Sequence, residues 1–90
     1  MIYKIIWTPE SQKDLSYWKI TDKTKLNRIK DLIENIKLNP TEGIGKPERL
    51  KYKDKNIWSR RIDKKHRLVY LIDNNQVVYI IQARFHYDHQ

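Results

Sequence analysis

Glu48, Arg67 and His86 are the residues of this chain whose types can combine into acid–base chemistry on a phosphate ester. Glu48 stands in "KPERLK", among Lys46, Arg49 and Lys51. A carboxylate surrounded by cations stays ionised and can take up a proton, although such a grouping also serves plain charge balance. His86 stands in the closing "RFHY", and histidine is a common general acid or base in catalysis. A bound phosphate would favour its charged form and suit it to give up a proton. A histidine near a strand end is otherwise a surface residue or a hydrogen-bond partner. Arg67 and Arg84, with Arg60, Arg61, Lys46 and Lys51 in the same half of the chain, can form a phosphate clamp. A guanidinium meets two phosphate oxygens at once, whereas isolated strand arginines are usually solvated.

Other chemistries find less support. "GIGKPE" lacks the Lys-Ser/Thr of a phosphate-binding loop and the third glycine of a dinucleotide fingerprint. His86, Asp88 and His89 are mixed ligand types on a chain end, so no metal site and no cofactor are expected. No serine stands in a nucleophile context, and the absence of cysteine removes disulfides and thiolate metal sites. The 19 Lys and Arg outnumber the 11 Asp and Glu, giving a net charge of +8. That charge attracts a polyanion or an acidic protein. The opening "MIYKIIWTPE" is too short and too interrupted for a signal peptide or a bilayer span. A cytoplasmic protein without membrane contact is the expectation.

Ninety residues make one domain, 1–90, with one modest core. "IYKIIW" reads as a strand, and Thr8-Pro9-Glu10 as a capped helix start running to about residue 20, with Leu15 and Trp18 on one face. "TD" at Thr21 and Asp22 caps a second helix in which Leu26, Ile29, Leu32, Ile33 and Ile36 make an apolar stripe. "NPTEGIGKPE" holds both glycines and is the main loop. Beyond it, "RLKYK", "IWSRRI", "HRLVYLI" and "VVYIIQARFH" alternate with short turns. The fold class is therefore α+β: two N-terminal helices on one face of a twisted, mostly antiparallel sheet, in the order β-α-α-β-β-β-β. Alternation assigns Val77, Tyr79, Ile81, Ala83 and Phe85 to the helix-covered face of the last strand. It assigns Val78, Ile80, Gln82, Arg84 and His86 to the open one. Leu68, Tyr70 and Ile72 form one set in the preceding strand, and Arg67 and Val69 belong to the other.

"YWKITD", "GKPERLK", "WSRRIDKKHRLVY" and "RFHY" together resemble the YoeB (Txe) toxins of the RelE/ParE superfamily, in the same order and at matching spacings. The resemblance implies a RelE-like fold and a metal-independent mRNA endoribonuclease, the toxin of a type II toxin–antitoxin pair. Such toxins cut mRNA in the A site of the 30S ribosomal subunit, against ribosomal RNA. It further implies Glu48 as general base, His86 as general acid, Arg67 as the holder of phosphorane charge and Lys51 as its support. Tyr87 would position the scissile phosphate or stack on a base. Arg60, Arg61, Lys46 and Arg84 are the accompanying phosphate-binding candidates.

The chain departs from the pattern at Thr41, where relatives often carry an aromatic, at Phe85, where tyrosine is common, and in the added "DHQ". The expected partners are mRNA on the ribosome, an acidic YefM/Axe-like antitoxin and a second copy of the chain. Two other readings compete. A ParE-like gyrase inhibitor would lack the Glu/Arg/His set, and a basic RNA-binding module would show steep salt dependence without cleavage.

Overall fold

The computed structural model describes residues 2–51 and 55–86. Strand β1 (Lys4–Trp7) leads into helices α1 (Pro9–Thr21) and α2 (Lys23–Leu38), followed by β2 (Glu48–Leu50), β3 (Ile57–Arg61), β4 (Arg67–Ile72) and β5 (Val77–Gln82). The sheet runs β1-β5-β4-β3-β2, antiparallel except where β1 lies parallel to β5. The expected α+β order holds, with both helices on one face.

Local chemistry sets the helix ends. Thr8 accepts from the Ser11 N–H at 3.3 Å while its hydroxyl donates to Ile80 O at 2.7 Å, so the cap of α1 is tied to β5. Asp22 caps α2 through the N–H groups of Thr24 and Lys25. The stripe Leu26, Ile29, Leu32, Ile33 and Ile36 is the buried face of α2. Each such side chain contributes about 1.5–3 kcal/mol by leaving water. The buried residues of α1 are Ser11, Asp14 and Trp18, so its inner face is largely polar. Asp14 accepts from the Ala83 N–H at 2.9 Å, and the Trp18 indole donates to Ala83 O at 2.7 Å. Leu68, Tyr70 and Ile72 meet these helices as expected.

Two expectations for the last strand are corrected. Val78 and Ile80 are fully buried in the helix-side core, and Val77 and Tyr79 lie on the other side, half-buried. "VVYII" is apolar at both parities, so alternation alone does not distinguish its faces. The polar series read beyond it does not continue in register. Val69 and Tyr70 are consecutive, yet they pair with Gln82 and Ile80, leaving Ile81 as an extra residue. This irregularity inverts the parity, which returns Ala83 to the core. The strand then ends at Gln82, and Phe85 follows in a left-handed turn (φ 68°) with 56% of its surface exposed. Phe85 is therefore not a core-facing anchor.

Candidate active site

The sheet face away from the helices holds a cleft of about 500 Å³ lined by Lys46, Pro47, Glu48, Leu50, Ser59, Arg61, Arg67 and His86. Register explains the grouping. Glu48 pairs with Ser59, Ser59 with Val69 and Val69 with Gln82, while Arg61 pairs with Arg67. At about 4.8 Å per strand, the backbone at Glu48 lies roughly 14 Å from the end of β5. Glu48 thus enters the cleft from β2 and His86 from the segment beyond β5, with Arg61 on β3 and Arg67 on β4 between them.

Arg67 is held rather than free. Its Nη1 donates to Asp63 O at 2.9 Å and His66 O at 3.2 Å, and its Nη2 makes no hydrogen bond among the described residues. One edge of the guanidinium is braced by the β3–β4 turn. Among the described residues, the salt bridges are Lys25–Asp63 and Lys37–Glu34, so none of the cleft cations is neutralised by one. The turn beneath Arg67 is rigid in its own right. Asp63 Oδ1 accepts from the N–H groups of Lys65 and His66 at 2.8 and 2.6 Å. Partial burial pushes the Asp63 carboxyl upward, but these N–H groups and Lys25 outweigh it and hold it at about 2. Asp14 has its pKa raised, chiefly by burial against the N–H of Ala83. His66 has its pKa lowered, chiefly by burial and with the help of Lys65, Arg84 and Lys25 against the pull of Asp63.

The cleft unites Glu48, Arg67, His86, Lys46 and Arg61, as the sequence suggested, but not the remaining candidates. Arg60 is fully buried on the opposite face, bonded to Tyr70 Oη at 2.9 Å, Ile44 O at 3.0 Å, Asn39 O at 2.7 Å, Glu42 O at 2.9 Å and the Asn35 side chain. Every acceptor belongs to the scaffold, so Arg60 organises the 39–45 loop and is not a phosphate ligand. Arg84 is likewise directed away, its guanidinium 3.4 Å from the Tyr17 ring centroid and 4.3 Å from that of Phe85. Lys51 is exposed beyond β2 and is not among the cleft-lining residues. Tyr87, with Asp88 and His89, lies outside the described residues. Among the described residues, no three His, Asp or Glu side chains converge to hold a metal.

Ser59 and Leu50 were missed in the sequence, although their parity with Glu48 and Arg61 is the signal for them. His66 was missed as well: its Nδ1 accepts from the Phe85 N–H at 2.8 Å. Nothing in "KKHRLVY" reveals that partner.

A β-α-α-β-β-β-β chain with both helices on one face of the sheet has the fold of the RelE-like toxin structures, and here the other face carries a cationic cleft. More narrowly, a model of the YoeB-like toxins of bacterial type II toxin–antitoxin systems matches residues 7–87, and the chain belongs to that family. Toxin YoeB of Escherichia coli K12 is 44% identical over 84 residues, covering 93% of this chain and 99% of that protein. The YoeB/ParE toxin from Agrobacterium tumefaciens superposes with a TM-score of 0.87 at 45% identity, covering 93% and 99% of the two chains. YoeB from Staphylococcus aureus, solved as a dimer, superposes at 0.86 with 36% identity, covering 97% of this chain and 100% of that one. In its heterotetrameric complex with YefM it superposes at 0.81 with 38% identity and the same coverage.

Proposed function

We propose that this toxin is a ribosome-dependent endoribonuclease that cuts mRNA in the A site by activating the RNA's own 2′-hydroxyl. Glu48 takes the hydroxyl proton as the 2′-oxygen attacks the adjacent phosphorus. Arg67, Arg61 and Lys46 stabilise the negative charge that builds on the phosphorane. His86 protonates the departing 5′-oxygen, leaving a 2′,3′-cyclic phosphate and a 5′-hydroxyl. RNA supplies the nucleophile, so a base, an acid and cations complete the proton balance. The base and the acid each contribute about 10²–10⁴-fold, and preorganised cations about 10²–10³-fold per donor.

One observation carries this reading: a carboxylate from β2 and an imidazole from beyond β5 line one cleft, with two arginines on the strands between them. Tyr87 is proposed to place the scissile phosphate. Lys51 acts from outside the cleft, so its contribution is smaller than that of Arg67. The exposed cations also suit an acidic antitoxin that blocks the cleft, as the YoeB–YefM complex of the S. aureus relative suggests, and a homodimer follows by the same analogy. Among the described residues, no helix is long and apolar enough to cross a membrane, and a cytoplasmic site of action fits the substrate.

The test is cleavage of mRNA in translating ribosomes by Glu48→Ala, Arg67→Ala and His86→Ala, with the 5′ ends mapped. Each variant should lose at least about 10²-fold. Wild-type cutting by all three would remove the mechanism. Gyrase inhibition with intact mRNA would transfer the chain to the other activity of its superfamily.

A further inference from the structure

The turn that delivers His86 is built from a conformation its own residues do not favour. Phe85 has φ 68°, a region costly for a side chain of that bulk, and its ring is too exposed to hold it there by burial. Backbone bonds hold it instead. Phe85 O accepts from the Arg67 N–H at 3.0 Å, and the Phe85 N–H donates to His66 Nδ1 at 2.8 Å.

His66 is well placed to act as a fixed post. Its N–H is held by Asp63 Oδ1, and its carbonyl accepts from Ile62 N–H at 3.0 Å. Its ring stands edge-on to Trp18, with centroids 4.9 Å apart at 82°. Trp18 in turn holds Ala83 O, so the ring and the start of the turn share one anchor. The residue following Phe85 then reaches the cleft shared with Glu48 and Arg67.

We propose that His66 is a positioning residue for His86: its bare Nδ1 fixes the Phe85 N–H and so maintains the left-handed turn that aims His86 into the cleft. This inference rests on the nuclease reading, in which His86 is the general acid. It also requires a neutral His66 carrying its proton on Nε2. The groups facing it set that balance. Asp63 from the β3–β4 turn and Asp14 from α1 favour a charge; Lys65 beside it, Lys25 from α2 and Arg84 from the terminal turn oppose it. Lys64, Tyr17 and His86 line the cavity beside it. A proton on Nδ1 would replace the acceptor with a donor facing the Phe85 N–H and release the turn.

His66→Asn places an amide oxygen where Nδ1 stands, whereas His66→Leu keeps bulk without an acceptor. Single-turnover cleavage on ribosomes should fall about 10–100-fold in His66→Leu, with ribosome affinity unchanged, because the acid is misplaced rather than removed. His66→Asn should restore most of the rate, and its cleavage should lose the extra decline that wild type shows below the His66 pKa. Amide exchange at Phe85 should be slow in wild type and His66→Asn and fast in His66→Leu. If His66→Leu does not fold, as judged by its thermal melt, His66→Gln replaces it, since its oxygen lies nearer the Nε2 position. A protected Phe85 amide in the acceptor-free variant overturns the proposal, as does equal slowing by Asn and Leu. If wild type cuts no RNA, the nuclease reading fails, and with it the role assigned to His66. A wild type that cuts, with His86→Ala inactive and His66→Leu fully active, sinks this inference alone.

Discussion

The backbone N–H of Arg67 donates to the carbonyl of Phe85 at 3.0 Å, so the cation on the cleft floor and the turn preceding His86 form one connected unit. Glu48 comes from the other side, on an edge strand of three residues. Arg67 and His86 are thus set relative to each other by β4, while Glu48 is set by the loop that leads into β2. The guanidinium of Arg67 is itself oriented by Asp63 O and His66 O.

Arg67→Lys should therefore preserve the fold and the backbone bond but lose the oriented fork. A lysine keeps the charge without the planar pair of donors. The expected result is a loss of about 10–100-fold in single-turnover cleavage with a melting temperature near that of wild type. Wild-type cleavage by this variant would show that charge alone suffices at the floor.

Arg60 and Arg61 are adjacent in sequence and should fail in opposite ways. Arg60→Met removes the donor from the carbonyls of Asn39, Glu42 and Ile44, while the Tyr70 hydroxyl, which burial holds in its protonated form, keeps its bond to Pro40 O. A loss of about 3 kcal/mol or more in denaturant unfolding is expected, since each hydrogen bond from a charged donor contributes about 1.5–3 kcal/mol and several are lost together. Arg61→Ala should leave stability almost unchanged and weaken RNA binding, reducing the slope of log K against log salt by about 0.7 for a single strand. If Arg60→Met is as stable as wild type and binds RNA less well, the assignment of these two residues is reversed.

That pair also shows what the sequence disclosed. The α2 stripe was legible because five apolar residues recur at helical spacing among polar ones, and all five are buried. Glu48, Arg67 and His86 were legible because their residue types stand in motifs of a recognisable family. Arg60 was misread because strand arginines are usually solvated. Trp58 and Ile62 share its parity and indicate an inward face, but only the loop carbonyls make a buried charge tolerable there. The faces of β5 were hidden by "VVYII", which is apolar on both sides, and by the extra residue Ile81, which no composition signal marks. Asp14 and His66 bond to backbone N–H groups of Ala83 and Phe85, distant in sequence, and a pattern of side chains carries no trace of such partners.

Gly45 is required by space as well as by conformation. Its φ is 83°, and a Cβ there would stand 2.7 Å from Leu32 Cδ2 and 3.2 Å from Arg60 Cβ. Its carbonyl accepts from the Arg61 N–H at 2.7 Å, which fixes the start of the segment carrying Lys46 and Glu48. Gly45→Ala should cost about 1–3 kcal/mol in stability. It should also slow cleavage by more than the loss of folded protein explains, because Glu48 moves while His86 does not. A variant with reduced stability but an unchanged rate per folded molecule would separate this loop from catalysis.

Asp63 gives the fold an acid-sensitive joint beneath Arg67. Its carboxyl is held at about 2 against an ordinary 3.8, because the N–H groups of His66 and Lys65 and the Lys25 ammonium at 3.0 Å outweigh the effect of its partial burial. A carboxyl whose folded pKa is depressed stabilises the fold above its unfolded pKa and loses that contribution as pH falls through the folded value. Stability from this group is thus complete above about pH 5 and declines from about pH 4 toward pH 2. With 23% of the side chain exposed, its share is on the order of 1–2 kcal/mol after solvent screening. Urea unfolding of wild type and Asp63→Asn at pH 6, 4 and 3 should show a gap that narrows as the solution is acidified. A gap of constant size across that range would mean that the carboxylate charge plays no part in holding the turn.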